Sequence, residues 1–305
     1  MADGLFGLYF NRFCCACIIH ALLISYFVGY LLREMKILKK VLNKFLSEKL
    51  HDGTVQVSGR IGALEIEGLH PLKPRGFAKS GNLSLSGKID EQQVKISSMF
   101  TNDQVALRLR VTKMSDGIDL PRVLASEGRI VVEEWINGRT PVRADHEHIR
   151  QAIRDYLYCD ERFSFGRSDQ CDFDYLNYLD QRVLDWHFLR GLPEFLGRWR
   201  EQRELLAGEM RLALCNPDLS FANFIIESGS ERIVMIDTEF LHVGQGWFMD
   251  YPNSAVSHEP LDLGMSPELC LFAKNCWRLR KIGSVLIAGR PDLLSKEMME
   301  FQDGW

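Results

Sequence analysis

The second half of the chain carries the apolar spacing of helices. Residues 146–158, 175–189 and 193–206 place apolar side chains three or four positions apart, the period at which one face of a helix is buried. Their aromatic side chains are expected in the core, because Trp and Phe supply much of the buried area of a large domain. A later helix is expected around residues 278–281, with the basic side chains Arg278, Arg280 and Lys281 on a solvated face.

Short apolar runs bounded by turn residues predict strands. Residues 224–236 contain two such runs around a Ser/Gly turn, which predicts a β-hairpin. Its open end would bring Asn223 and Asp237 close together. Residues 129–138 predict another strand, which runs into an acidic pair, a tryptophan and a turn glycine.

An uncharged apolar run near the N-terminus has the length of a membrane span. Residues 13–32 carry no formal charge apart from titratable His20, and about 20 apolar residues cross the hydrocarbon core as a helix. Basic residues crowd its C-terminal side, which predicts a single-pass membrane protein with its main domain on the cytoplasmic face. A buried helix is the alternative. Residues 35–50 predict a basic amphipathic helix that lies on the membrane or packs against the main domain.

Composition limits the classes of function. The chain has 305 residues, of which 46% are hydrophobic, enough for a sizeable core. Its formal net charge of −4 lacks the basic excess of a general nucleic-acid binder, so no nucleic-acid partner is expected. Cys14, Cys15 and Cys17 are candidates for lipidation, with core packing as the alternative. The other cysteines lack zinc-like pairing and are expected as free thiols.

The candidate chemistry lies between Leu212 and Glu239. Asp218 opens a loop, Asn223 follows five residues later, and Asp237 closes the predicted hairpin. Phosphoryl transfer needs a carboxylate that orients the attacking hydroxyl and metal ions that neutralise the phosphates. Asp218 is the catalytic candidate, and Asn223 and Asp237 are the candidates for Mg²⁺, which prefers hard oxygen ligands. The set indicates an ATP-dependent kinase.

These motifs resemble those of the aminoglycoside phosphotransferase and choline kinase family. The resemblance rests on Asp218 with Leu219, on Asn223, and on the run from Ile236 to Glu239. It implies that Asp250, in a later glycine-containing turn, braces the loop. It also implies an α+β, two-lobed protein-kinase-like fold, with a small β-rich N-lobe and a mainly helical C-lobe. The implied domains are a membrane anchor and basic helix over 1–50, the N-lobe and hinge over 51–138, and the C-lobe over 139–305.

The resemblance implies a phosphate-binding loop in the N-lobe. Residues 81–88 look like a β-turn-β loop, in which Gly81, Ser84 and Gly87 would bring backbone amides to the ATP phosphates. This motif is weak on its own. Its position before the remaining motifs of the implied ATP site supports the assignment.

Three further residues complete the implied ATP site. Lys95 lies in a short apolar strand, where the family has its phosphate-binding lysine; an exposed strand lysine is the alternative. Glu133 and Trp135 lie in a segment that resembles the interlobe hinge, whose backbone groups would bind adenine. An ordinary strand end followed by a turn is the alternative there.

Residues 101–115 fit two structures. Their apolar alternation suits a strand, whereas Thr101 or Asn102 would cap a helix. Related kinases place a glutamate on a helix here, paired with the strand lysine, and this segment contains none. Asp103 is the nearest acid and is the candidate to pair with Lys95 instead.

Three functions are compatible with these observations. The leading hypothesis is a membrane-attached phosphotransferase that uses ATP and Mg²⁺ on a hydroxyl of a small molecule or sugar, including a lipid-linked or envelope glycan. The alternative is a weak or inactive pseudokinase, a nucleotide-binding membrane module, because Asn216 and Pro217 replace the family's His-Gly before Asp218. Asn216 would partly replace that His, whose role is to support the loop by hydrogen bonds. A chance match in a non-kinase membrane protein is the third hypothesis.

Overall fold

A computed structural model describes residues 46–51, 54–72 and 84–295, and strands dominate the first half of this range while helices dominate the second. The strands are β1 Leu46–His51, β2 Thr54–Ile61, β3 Leu64–Pro71, β4 Ser84–Ile89, β5 Gln92–Ser98, β6 Lys113–Ser115, β7 Ile118–Asp119, β8 Val123–Glu127, β9 Ile130–Glu134, β10 Gly138–Arg139, β11 Ala213–Cys215, β12 Phe224–Glu227, β13 Ile233–Met235 and β14 His242–Gly244. The helices are α1 Asn102–Arg110, α2 His146–Tyr158, α3 Tyr175–Gln181, α4 Leu192–Leu205 and α5 Pro267–Ile287. The predicted α+β organisation is confirmed.

The N-terminal sheet has seven strands in the order β1-β2-β3-β4-β5-β9-β8. Asp90 and Glu91 form the turn of the β4–β5 hairpin, and both have positive φ. β9 pairs antiparallel with β5 in a register that places Lys95 opposite Glu133. Opposed residues of an antiparallel pair project from the same face, so these two side chains are neighbours.

A five-stranded sheet has the order β10-β12-β13-β7-β6. The chain forms β6 and β7 in this sheet, returns to the first sheet for β8 and β9, and crosses again through residues 135–137. β12 and β13 form the predicted hairpin, with Phe224 paired to Met235. A separate pair, β11 and β14, sets Cys215 opposite His242. These short strands position the segments on either side of the candidate catalytic loop.

The helical half has an aromatic core, as the sequence predicts. Trp199 of α4 is fully buried and stacks on Phe272 of α5, with the ring centroids 5.7 Å apart. The indole N–H of Trp199 points to the Cys276 sulfur, 3.2 Å away. Phe195 and Tyr156 are also fully buried. This packing fixes α5, the longest described helix at 21 residues, against α4.

Residues 102–110 form a helix and not a strand. The Thr101 hydroxyl accepts a hydrogen bond from the Gln104 backbone N–H, and the Gln104 side chain accepts one from the Thr101 N–H, which makes a capping box. Val105 and Leu107 are buried on the inner face of α1. The cap therefore decides between the two structures that the sequence left open.

The predicted membrane location is contradicted. Among the described helices, none is both long and apolar enough to cross a bilayer. The predicted span, residues 13–32, lies outside the described residues, as does most of the predicted basic helix over 35–50. The end of that predicted helix is wrong, because Leu46–His51 forms a strand.

Candidate phosphoryl-transfer site

The loop that carries Asp218 is organised by Asn216, which is fully buried directly after β11. Its side-chain oxygen accepts a hydrogen bond from the Asp218 backbone N–H at 3.2 Å, and its amide nitrogen lies 3.4 Å from the Asp237 carbonyl. The same nitrogen lies 3.2 Å from the Met235 sulfur. Asn216 therefore ties the loop to the end of β13 by hydrogen bonds, the support that the sequence assigned to it.

Asn223 and Asp237 lie beside Asp218. The Asn223 amide nitrogen donates to the Asp218 carbonyl at 3.0 Å, and the Asn223 carbonyl accepts from the Ile236 N–H at 2.8 Å. Burial raises the pKa of the Asp218 carboxyl; Arg280 opposes this shift and the nearby Asp237 carboxylate adds to it. The structure thus brings together the three residues that the sequence singled out.

The donor set fits a magnesium ion. Mg²⁺ takes few protein ligands and keeps water and phosphate oxygens. The described residues contain no group of three His, Cys, Asp or Glu side chains suited to a metal, so an all-protein cage is absent from that part of the chain. Because the Asn223 amide nitrogen donates to the Asp218 carbonyl, its amide oxygen is the atom suited to a cation.

Both carboxylate oxygens of Asp218 are held. Asn253 donates its amide N–H to Oδ1 at 2.9 Å, and Arg280 donates from Nη2 to Oδ2 at 2.8 Å. The Arg280 side chain, on α5, is only 13% exposed, so its predicted place on a solvated face is wrong. One feature of the sequence could have indicated that Arg280 is buried: it follows Leu279, which lies on the buried face of α5.

The Lys95 side chain is mostly buried beside the end of β13. Its ammonium donates to the Ile236 carbonyl, the residue before Asp237, and lies 3.9 Å from Glu133 Oε2. The side chain of Lys95 is 18% exposed, which disagrees with the alternative of an exposed strand lysine. Lys95 therefore lies between the two sheets, next to the candidate metal residues.

The acid beside Lys95 comes from β9 and not from a helix. Glu133 is fully buried, and its Oε1 accepts hydrogen bonds from Nε and Nη2 of Arg108 on α1, at 3.2 and 2.8 Å. Asp103, the predicted substitute, instead accepts from the backbone N–H of Asp172 at 3.1 Å. The expected pairing has an acid on the helix and a basic residue on the strand. Here the helix supplies the basic residue, Arg108, and the strand supplies the acid, Glu133.

Comparison with solved structures identifies the fold. A thermostable mutant of the aminoglycoside phosphotransferase APH(4)-Ia matches at 14% identity with a TM-score of 0.51, over 74% of this chain and 90% of that one. The chain has the aminoglycoside phosphotransferase fold. A thermostable mutant of the same enzyme in complex with AMP-PNP and hygromycin B matches at 14% identity over 74% and 89%, with a TM-score of 0.50.

The choline kinase LicA from Streptococcus pneumoniae is also similar, at 13% identity over 75% of this chain and 88% of that one, with a TM-score of 0.48. No protein-family model matches the sequence, and no curated protein matches it either. The match to the APH(4)-Ia mutant confirms, at the level of the fold, the resemblance predicted from the motifs.

The structure differs from the prediction of a phosphate-binding loop in the part of residues 81–88 that it describes. Ser84 begins a continuous strand that extends to Ile89, and the turn after it lies at residues 90–91. Gly87 is buried in β4, where a Cβ atom would lie 2.6 Å from the Ile66 Cγ2, so the glycine permits close strand packing. Gly81 lies outside the described residues. Over residues 84–88 the β-turn-β interpretation is therefore wrong.

The hinge predicted for the aminoglycoside phosphotransferase fold coincides with the crossing between the two sheets. Trp135 follows β9 directly and is half-buried. Glu133 lies two residues earlier and faces Arg108 from a fully buried position. The Glu133 side chain therefore belongs to the ion pair beside Lys95. Residues 135–137 form the connection between the two sheets, where the hinge was predicted.

Asp250 supports β11, the strand that leads into the Asp218 loop, through Tyr156. Its Oδ2 accepts from Arg162 and lies 2.7 Å from the Tyr156 hydroxyl, which is also 2.8 Å from the Leu214 carbonyl of β11. Burial raises the pKa of Asp250 to about 6. The brace connects α2 to the strand that precedes Asn216.

Proposed function

We propose that this protein is a phosphotransferase that uses ATP and Mg²⁺ to phosphorylate a hydroxyl group of a small molecule or sugar. The observation that carries the proposal is the assembly of Asp218, Asn223 and Asp237 with Lys95, which reaches the Ile236 carbonyl. The fold, shared at low sequence identity with a nucleotide-bound phosphotransferase, supports it.

Each residue has a role in this proposal. Asp218 orients the acceptor hydroxyl and accepts its proton, for which its raised pKa suits it. Lys95 binds phosphate oxygens, and backbone groups beside Trp135 bind adenine. Asn223 and Asp237 hold Mg²⁺, which when bound neutralises charge on the phosphates.

In the proposed nucleotide site, Lys95, Asn223 and Asp237 lie on the side of β13, and the contacts of Lys95 with Ile236 and of Asn223 with Asp218 support this assignment. Ser84 and Gly87 lie in a strand, so a phosphate contact from β4 would involve backbone groups near its first residue, Ser84. Gly81, outside the described residues, is proposed to add a backbone amide to the same contact.

An inactive nucleotide-binding protein is the second candidate, favoured by Asn216 and Pro217. Both bear on catalysis more than on binding, since they precede Asp218 and not the nucleotide residues. The hydrogen bonds of Asn216 to Asp218 and toward Asp237 favour the active form, because they supply the support that the loop needs.

Replacement of Asp218 by Asn tests the proposal. We expect transfer from ATP to fall by about 10²-fold or more, because the amide cannot accept the hydroxyl proton. Mg²⁺-ATP binding should persist, as measured by thermal stabilisation. The assay is a screen of sugars and amino alcohols for ADP release and a phosphorylated product.

Asp180→Asn is the matched control, since the Asp180 carboxylate pairs with Arg200 on the surface. It should leave transfer unchanged. Nucleotide binding without transfer to any acceptor would favour the inactive protein. Absence of Mg²⁺-dependent nucleotide binding in the wild type would refute both candidates.

A further inference from the structure

Arg280 lies where a transferring phosphoryl group would pass. Its Nη2 donates to Asp218 Oδ2 at 2.8 Å, and its Nη1 donates to the Pro217 carbonyl at 2.8 Å and to the Tyr175 hydroxyl. A hydroxyl that Asp218 orients lies within about 3 Å of the same carboxylate. The phosphoryl group that this hydroxyl receives therefore arrives beside the guanidinium.

The guanidinium has hydrogen-bonding capacity to spare. Arginine has five N–H donors, and three of those of Arg280 have partners among the described residues. The group also lies 5.6 to 5.9 Å from the ring centroids of Tyr175, Phe240 and Trp277. These rings and the Pro217 carbonyl fix its plane, so little order is lost when the remaining donors bind an anion.

We propose that Arg280 is a catalytic residue, which binds the transferring phosphoryl group while it orients Asp218. The inference rests on the proposed function. Phosphoryl transfer spreads negative charge over three oxygens in the transition state, and an arginine placed in the same chain neutralises it. Asp218 alone would repel that charge, and Arg280 offsets the repulsion at the point of attack.

The step balances without further reactants. The acceptor O–H bond breaks and its proton moves to the Asp218 carboxylate. The acceptor oxygen forms a bond to the γ-phosphorus as the bond to the β,γ-bridging oxygen breaks, which leaves ADP. Arg280 stays protonated throughout and exchanges no proton.

The test uses aluminium fluoride, a small anion that mimics the transferring phosphoryl group beside ADP and Mg²⁺. Calorimetry measures ADP affinity with and without aluminium fluoride in the wild type, in Arg280→Gln and Arg280→Lys, and in Lys281→Gln as the control. Lys281 is exposed on the same helix. We expect aluminium fluoride to tighten wild-type ADP binding by about tenfold or more.

Arg280→Gln should keep ADP affinity within about twofold and lose this gain, while Lys281→Gln keeps both. Arg280→Lys should retain part of the gain, because it keeps the charge without the planar fork. A full gain in Arg280→Gln overturns the inference. Should the Gln variant not fold, a full gain in the Lys variant overturns it and a reduced gain supports it.

A second readout separates catalysis from a purely structural role. Loss of Arg280 should lower kcat by about 10²-fold or more and leave KM for ATP within about twofold, because the guanidinium would bind the phosphoryl group only during its transfer. A raised KM with an unchanged kcat contradicts the inference. A wild type that binds ADP without any gain also overturns it and leaves the nucleotide site standing, whereas a wild type that binds no ADP refutes the proposed function and this inference together.

Discussion

At the scale of single residues, Lys95 belongs to a cluster of three charged side chains. Glu133 lies between Arg108, at 2.8 Å, and Lys95, at 3.9 Å, so one negative charge faces two positive ones. Oε2 of Glu133 has no hydrogen-bond partner among the described residues and lies 3.9 Å from the ammonium, which itself donates to the Ile236 carbonyl. The carboxylate therefore helps to orient the Lys95 ammonium.

Glu133→Gln should destabilise the protein by about 3 kcal/mol or more, because it leaves the Arg108 guanidinium buried without a carboxylate. Replacing the pair by apolar residues, Arg108→Met with Glu133→Leu, should restore most of the free energy of unfolding. ATP affinity should stay at least about tenfold weaker in both variants, since Lys95 has lost the carboxylate that orients its ammonium. Urea unfolding and calorimetry measure the two quantities.

Glu134→Gln is the control, because Oε1 of Glu134 accepts from the Arg122 backbone N–H and its Oε2 forms an ion pair with the exposed Arg122 guanidinium at 3.7 Å. Its effect on ATP affinity should be negligible. Wild-type affinity in the double variant would show that Lys95 needs no acid at Glu133.

At the scale of elements, the Gln104 side chain attaches α1 to the segment that follows β13. The Gln104 amide nitrogen donates to the carbonyls of Glu239 and Leu241, at 3.1 and 3.0 Å, while its oxygen completes the helix cap. The Thr238 hydroxyl also lies 3.4 Å from Glu133 Oε1. Hydrogen bonds therefore link α1 and Glu133 to residues 238–241.

Gln104→Glu separates the two functions of this side chain. The carboxylate still accepts in the capping box but cannot donate to the two carbonyls, so we expect a loss of about 2 kcal/mol or more and weaker Mg²⁺-ATP binding. Thr101→Ala, which removes only the cap, should cost about 1 kcal/mol and leave nucleotide affinity unchanged. Equal effects of the two variants on nucleotide affinity would contradict the coupling.

Elements that depend on neighbouring residues could be predicted from the sequence. The β12–β13 hairpin and the helices follow from periods of two and three to four residues, which the local sequence contains. The Asp218 loop follows from its motif. Arg280 reaches Asp218 across 62 residues, and Glu133 reaches Lys95 only through the β5–β9 register, so neither contact is present in any local pattern.

The prediction of a phosphate loop at Gly87 was wrong because glycine has more than one structural use. Gly87 was assigned to a phosphate loop because glycine permits unusual backbone angles, yet here it permits the close approach of Ile66. The sequence alone does not distinguish these two uses, since both need only the absence of a Cβ atom.

At the scale of the whole molecule, His242 makes stability depend on pH. The imidazole is buried among aromatic rings, its Nδ1 lies 2.8 Å from the Phe240 carbonyl, and its Nε2 has no hydrogen-bond partner in the described part of the chain. Burial lowers the pKa of His242 to about 4, below the value of about 6.5 in an unfolded chain. The unfolded state therefore binds more protons between these values, and stability falls as pH falls through that range.

We expect His242 to remove about 2 kcal/mol of stability between pH 7 and pH 5. Asp250 acts in the opposite direction, because its raised pKa of about 6 favours the folded state on acidification. His242→Gln isolates the first effect: its loss between the two pH values should be about 2 kcal/mol smaller than in the wild type, by urea unfolding. His148→Gln, at an exposed position on α2, should leave the wild-type difference unchanged.

The contact between Arg280 and Asp218 also sets the order in which the protein becomes competent during synthesis. The ribosome releases the N-terminal sheet first, then the Asp218 loop, and α5 after both. Until α5 emerges and docks, the Asp218 carboxylate lacks its guanidinium partner. A product truncated before residue 280 would contain every motif recognised in the sequence and still present an incomplete site, so the emergence of α5 acts as a checkpoint on the nascent protein.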